Sequence, residues 1–236
     1  MTGYKYLVTT KGTALPRPRV PDRRERVLAA AHELALTQGW SGTTIAEIAA
    51  RAGIGKGAVY LEFPDKPAIL SAVLTGRMRA LTAGMRRRVL EVDGLVDLPT
   101  VYRFAVEEIL ADPLMRALYL GDAAVLGDHV RGVSDDRYAQ RFTWLADYVV
   151  ALQSCGLIDP RMAVDPVVRM LGVFTIGLLN GPATTDDQLR DTVATFADLV
   201  GRGLATGGPV DPEAARQAQI VLLDRLDAQL RQLETL

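Results

Sequence analysis

The sequence predicts an all-α fold of about nine or ten helices, three short ones followed by a larger bundle. Three observations predict it. Apolar residues recur with the helical period: Val27, Leu28, Ala31, Leu34 and Ala35 fall on one stripe. Asp112-Pro113, Asp165-Pro166 and Asp211-Pro212 each set a favourable N-cap before a proline suited to a helix's first position. No stretch alternates apolar and polar residues as a half-buried strand would, and no internal repeat appears.

Residues 1–21, with Pro16, Pro18 and Pro21 and no helical period, read as a flexible N-terminal arm. Asp22 is the expected N-cap of the first helix, which Gly39 ends. Thr44 opens the second helix, and Glu47 three positions on completes a capping box. Ile45, Ile48 and Ala49 form its inner face, and Gly53 terminates it. A short third helix follows over about 55–63, and the turn Pro64-Asp65-Lys66 leads into a long helix over about 66–91. Further helices are expected near 99–111, 113–120, 135–155, 166–180, 185–203 and 212–234, with Gly156, Gly181 and Gly207 where C-terminal caps belong.

Hydrophobic residues make up 49% of the 236 and charged residues 23%, a balance that buries a substantial core. The single cysteine, Cys155, excludes an internal disulfide framework and reads as a buried thiol near a helix end. The N-terminus has no apolar run of signal-peptide type. The most apolar stretch, 167–180, carries Arg169 and is too short to span a bilayer. A cytoplasmic protein without a membrane partner is expected. Net charge is −1, yet residues 1–66 hold ten bases against six acids, +4, while the remainder carries −5. All four lysines lie in the first part. Such asymmetry marks a nucleic-acid-facing end, although on charge alone ordinary scatter explains it equally well. With His32 and His129 the only histidines and no HExxH, GxSxG or P-loop pattern, nothing calls for catalysis, a cofactor or a metal.

The stretch 54–66, IGKGAVYLEFPDK, concentrates unusual residues. Val59 and Phe63 are four apart and share a face that docks inward. Lys56 and Tyr60 share a different face, flanked by Ala58 and Leu61, that looks outward. Gly53 and Gly55 relax the turn, and Gly57 lets another surface come close. Two short helices joined by a tight turn describe a helix-turn-helix, whose second helix enters the major groove. Phosphate binds at helix amino ends, and Lys56, Lys66 and the Tyr60 hydroxyl add charge and a donor.

Residues 43–70, with the preceding AAHELALTQGWSGTT, resemble the DNA-binding segment of TetR-family transcriptional regulators. The resemblance implies a DNA-binding domain over 22–66 and a ligand-binding and dimerisation domain over 67–236. It implies phosphate contacts from Thr44, Lys56, Tyr60 and Lys66, with Lys56, Gly57 and Ala58 near base edges. Gly55 stands where the family has serine, removing a hydroxyl, and Glu62 where histidine is frequent, a carboxylate that either accepts from a cytosine amine or repels phosphate. Specificity is therefore expected to lean on Ala58 against a thymine methyl and on DNA shape, with Arg17 and Arg19 of the arm entering a minor groove.

The larger domain is expected to hold a small-molecule effector. Met115, Tyr119, Trp144, Tyr148, Met170 and Phe174 are the expected lining, with Arg116 or Asn180 as polar anchors. Ordinary core is the competing explanation for each. Arg86, Arg87 and Arg88 read as a solvated face. A homodimer follows from the short reading helix, and the resemblance places its contact on about 166–180 and 185–203, through Leu178, Leu179, Leu189, Val193, Phe196 and Leu199. The expected function is a ligand-responsive regulator, a repressor released from a double-stranded operator by an apolar or amphipathic effector. The other reading is a ligand- or protein-interaction module that keeps the helix-turn-helix only as scaffold.

Overall fold

The computed structural model describes residues 22–92, 96–128, 135–180 and 185–232. The arm with Arg17 and Arg19, and Gly181, lie outside the described residues, as do the side chains of Trp144, Leu179 and Asn180. The head consists of α1 (Arg23–Gln38), α2 (Ile45–Arg51) and α3 (Lys56–Tyr60). α4 (Lys66–Glu91) runs from the head into a body of α5 (Leu98–Ala111), α6 (Pro113–Leu120), α7 (Ala123–Leu126), α8 (Asp135–Ser154), α9 (Val164–Asn180), α10 (Asp186–Leu204) and α11 (Pro212–Gln232). All eleven elements are helical, and no strand occurs among the described residues.

Local chemistry sets most of the boundaries. Thr44 forms the expected capping box: its hydroxyl accepts from the Glu47 amide, and Glu47 accepts from the Thr44 amide at 2.7 Å. Asp65 caps α4 by accepting from the Ala68 amide, and Asp112 caps α6 by accepting from Leu114 and Met115. Asp22 departs from expectation. It sits in the left-handed region at φ 56° and makes no side-chain cap bond. An N-cap needs extended backbone to aim its oxygen at the first-turn amides. α9 begins at Val164, so Asp165 lies within its first turn rather than capping it.

The element absent from the sequence reading is α7. Asp122 caps it, accepting from Ala124 at 2.8 Å, but one turn is too short to show a period. Its role is to join head and body. The Trp40 amide donates to the Val125 carbonyl at 2.7 Å, and a Cβ on Gly39 would stand 2.4 Å from the Ala124 carbonyl oxygen. Gly39 also has φ 78°, so only glycine meets both demands.

Two apolar cores divide the molecule. The first spans the head and α4 to α7, with Val27, Ile48, Val59, Ile69, Leu70, Phe104 and Met115 among its buried members. The second lies in the body between α8, α9, α10 and α11 around Val149, Leu152, Leu171 and Ala215. The basic run divides too. Arg86 pairs with Asp224 of α11, and Arg88 pairs with Glu107 and lies 4.1 Å from the Phe104 ring centre, so only Arg87 fits the expected solvated face.

Candidate nucleic-acid interface

α3 has one buried side and one bare side. Val59 is 0% exposed and Phe63 3%, both in the head core. Burying side chains of this size stabilises the seating of α3 by about 1.5–3 kcal/mol each. On the other side Tyr60 is 48% exposed and Leu61 74%. Lys56 is exposed as well, and its ammonium forms no ion pair among the described residues. Ala58 is half-buried between the two sides.

The glycines keep the bare side free of bulk. A Cβ on Gly55 or on Gly57 would meet nothing within 4 Å, and neither residue has a positive φ. The chain's own packing therefore gives no reason for glycine at either place. Without a side chain at either place, the backbone amides lie open to a surface arriving from outside.

The remaining predicted contacts are less free. The Thr44 hydroxyl is committed to its cap, donating to Glu47 Oε2 at 2.8 Å. Those bonds, the hydroxyl's first, hold the Glu47 carboxyl below its usual range. Lys66 is a strut. Its ammonium donates to the Trp40 carbonyl at 2.5 Å and lies 4.9 Å from the centre of the Trp40 ring. Burial pulls its pKa down, and the nearby Glu47 charge opposes that pull. Two of its three N–H groups remain for another acceptor. Thr44, Gly55, Lys56, Gly57, Tyr60 and Leu61 are all exposed, whereas Ala58 and Lys66 are half-buried.

Glu62 is engaged within the chain. It accepts from Arg23 Nε at 2.6 Å, and both side chains are largely covered. This pair ties the start of α1 to the end of α3. The sequence reading missed it because the partners lie 39 positions apart.

With this geometry in place, the comparisons decide the family. Residues 27–73 match bacterial regulatory proteins of the tetR family. The HTH-type transcriptional regulator BetI of Ectopseudomonas mendocina (strain ymp) is 39% identical over 221 residues, covering 89% of this chain and 94% of that protein. This chain belongs to the TetR family. It is a DNA-binding transcriptional regulator of that family. The HTH-type transcriptional regulator SrpR of Pseudomonas putida is 42% identical over 60 residues, 25% of this chain and 28% of SrpR. Among solved structures, the regulator FadR of Bacillus subtilis in complex with stearoyl-CoA shares the fold at a TM-score of 0.54 and 16% identity, covering 78% of this chain and 98% of FadR.

The body corrects several expectations. Met170 is 41% exposed on α9 and does not line an interior. Met115 is fully buried in the head-side core, whereas Tyr148 lies in the body core, so the expected lining does not converge on one place. Arg116 and Tyr119 are half-buried. What does converge is an aromatic cluster. The Phe174 and Phe196 rings stack at 3.5 Å, and Tyr102 lies 6.3 Å and 5.8 Å from them. The Tyr102 hydroxyl is 2.5 Å from Thr175 Oγ1, and burial pushes its pKa up to about 12, opposed by that bond. Burial also lifts the Tyr148 phenol, against the effect of neighbouring Gln219.

The expected dimer surface needs the larger correction. Leu189 and Val193 are 7% and 1% exposed, and Phe196 stacks on Phe174 within the same chain. These residues turn into the chain's own interior, where α10 packs along α5. Leu178 is half-buried, and Leu199 alone of the described set stays open at 64%.

Proposed function

We propose that the chain is a cytoplasmic, homodimeric repressor that occupies a double-stranded operator and is released by a small apolar or amphipathic effector. The observation that carries the reading is the bare strip of Gly55, Lys56, Gly57, Tyr60 and Leu61 above the buried Val59 and Phe63. Lys56 and the Tyr60 hydroxyl anchor phosphates, while Gly57 and Ala58 bring backbone and a methyl group to base edges. Thr44 and Lys66 add contacts once the duplex competes for their donors.

The effector reading draws on the aromatic cluster. Tyr102, Phe174 and Phe196 gather apolar faces where α5, α9 and α10 meet, and Thr175 adds a hydroxyl. Tyr119 contributes from α6, which also packs on α1 of the head. An effector that spreads this cluster therefore acts on an element touching the DNA-binding end. FadR bound to stearoyl-CoA supports a ligand with a long apolar part. The dimer contact is Met170 and Val173 of α9 with Leu199 of α10, all exposed apolar side chains.

Electrophoretic shifts on duplexes flanking the protein's own coding region test the reading, with stearoyl-CoA and shorter amphiphiles added. The expected result is a retarded duplex that the effector frees. A duplex that is never retarded, at any protein concentration and low salt, refutes it.

A further inference from the structure

We propose that Arg26, flanked by Arg24, is a backbone-phosphate clamp of the DNA-binding head, outside the helix-turn-helix itself. The proposal rests on the DNA-binding reading above and extends it to α1. The first turn of α1 lays three guanidiniums along the recognition helix, and each ends differently. Arg23 reaches the carboxyl end of α3 and is neutralised there by Glu62 at 2.6 Å. Arg24 is exposed and lies 4.6 Å from the centre of the Phe63 ring. Arg26 reaches the turn before α3, where its Nη2 stands 2.7 Å from the position of a Cβ on Gly53.

Arg26 is exposed, and its guanidinium forms no ion pair among the described residues. It is held against bare glycine backbone, beside the strip that opens with Gly55, Lys56 and Gly57. Lys56, three positions beyond Gly53, is also without an ion pair among the described residues. Two cations without an ion pair therefore belong to one turn, Arg26 over Gly53 and Lys56 three positions on, and among the described residues no carboxylate is paired with either. A phosphodiester supplies an anion. It carries one charge, and two of its oxygens match the guanidinium fork. Thr44 and Lys66 lie towards the amino end of α2 and Arg26 towards its carboxyl end, so the head grips the duplex backbone at both ends of that helix. A phosphate contact of this kind adds affinity without reading sequence.

The test titrates wild type, R26Q, R26K and R87A by fluorescence anisotropy. The probes are an operator duplex selected from a random library and a scrambled duplex of equal length, over a series of salt concentrations. R87A removes an exposed cation about 30 Å along α4 from Lys66 and serves as the control for bulk charge. The expected result is that R26Q lowers the slope of log K against log salt by about one per head, about two for a dimer. At 0.1 M salt that is about an eight-fold loss per contact and about sixty-fold for two. Both duplexes weaken alike, R26K keeps the wild-type slope, and R87A behaves as wild type. R26Q with wild-type slope and affinity, a loss matched by R87A, or an R26K slope as low as that of R26Q, overturns the clamp while leaving the DNA-binding reading intact. A flat salt profile for wild type sinks that reading instead. Thermal melting checks that R26Q is folded, and R26E provides a second charge-removing variant with a still smaller expected slope.

Discussion

The two faces of α3 make opposite predictions for neighbouring residues. Val59 is fully buried in the head core, while Tyr60 is 48% exposed. Val59→Ala removes two methyl groups from a packed site, worth about 0.8 kcal/mol each plus a cavity cost, against a small gain in helix propensity. The net loss is about 2 kcal/mol, a drop in Tm of about 4–8 °C for a chain of this size. Tyr60→Phe removes one hydroxyl that faces solvent, so stability stays within about 0.5 kcal/mol. Its effect falls on the duplex: one lost bond to a charged oxygen is about 1.4 kcal/mol, or about tenfold in affinity per head. Differential scanning calorimetry and anisotropy on the same preparations read both quantities. If Tyr60→Phe melts early like Val59→Ala, or binds duplex as tightly as wild type, the assignment of the exposed strip is wrong.

Three further outcomes follow from particular contacts. Glu62→Ala releases Arg23 beside α3, so non-specific duplex binding tightens and its salt slope steepens by about one per head; an unchanged slope would show that Arg23 points away from the duplex. His32 is held below the usual imidazole range by burial first and by Arg77 second, against the pull of Asp112. A depressed histidine is neutral in the fold, so the unfolded chain takes up the proton first. Stability is full above about pH 6.5 and declines as pH falls through that value. Urea melts across that window should show the decline in wild type and a weaker one in His32→Gln; equal declines would contradict it. At the proposed dimer surface, Val173→Glu, at a residue 63% exposed, yields a folded monomer by sedimentation, whereas Val193→Glu, at a residue 1% exposed, unfolds the chain. A folded Val193→Glu monomer would restore the surface first expected from the sequence.

What the sequence discloses is local. The Thr44–Glu47 capping box and the spacing of Val59 and Phe63 each fit within one or two turns, and each appears in the structure where the pattern puts it. The residues that carry the family likeness in the sequence, 43–70 and the stretch just before them, are contiguous too. What it conceals depends on partners distant in the chain. An apolar stripe such as Leu189, Val193 and Phe196 announces burial, not whether the cover comes from the same chain or a second copy. Glu62 looks free until Arg23 is seen beside it, and Lys66 looks free until Trp40 is. Arg26 was visible only as a charge, because its position over Gly53 is a tertiary fact.

Hydrogen exchange with and without a bound operator duplex addresses the central claim most directly. The account predicts that amides of residues 54–63, with those around Thr44, slow on binding while the second core in the body is little changed. Duplex binding that leaves those amides exchanging as in the free protein, with protection elsewhere, would contradict it.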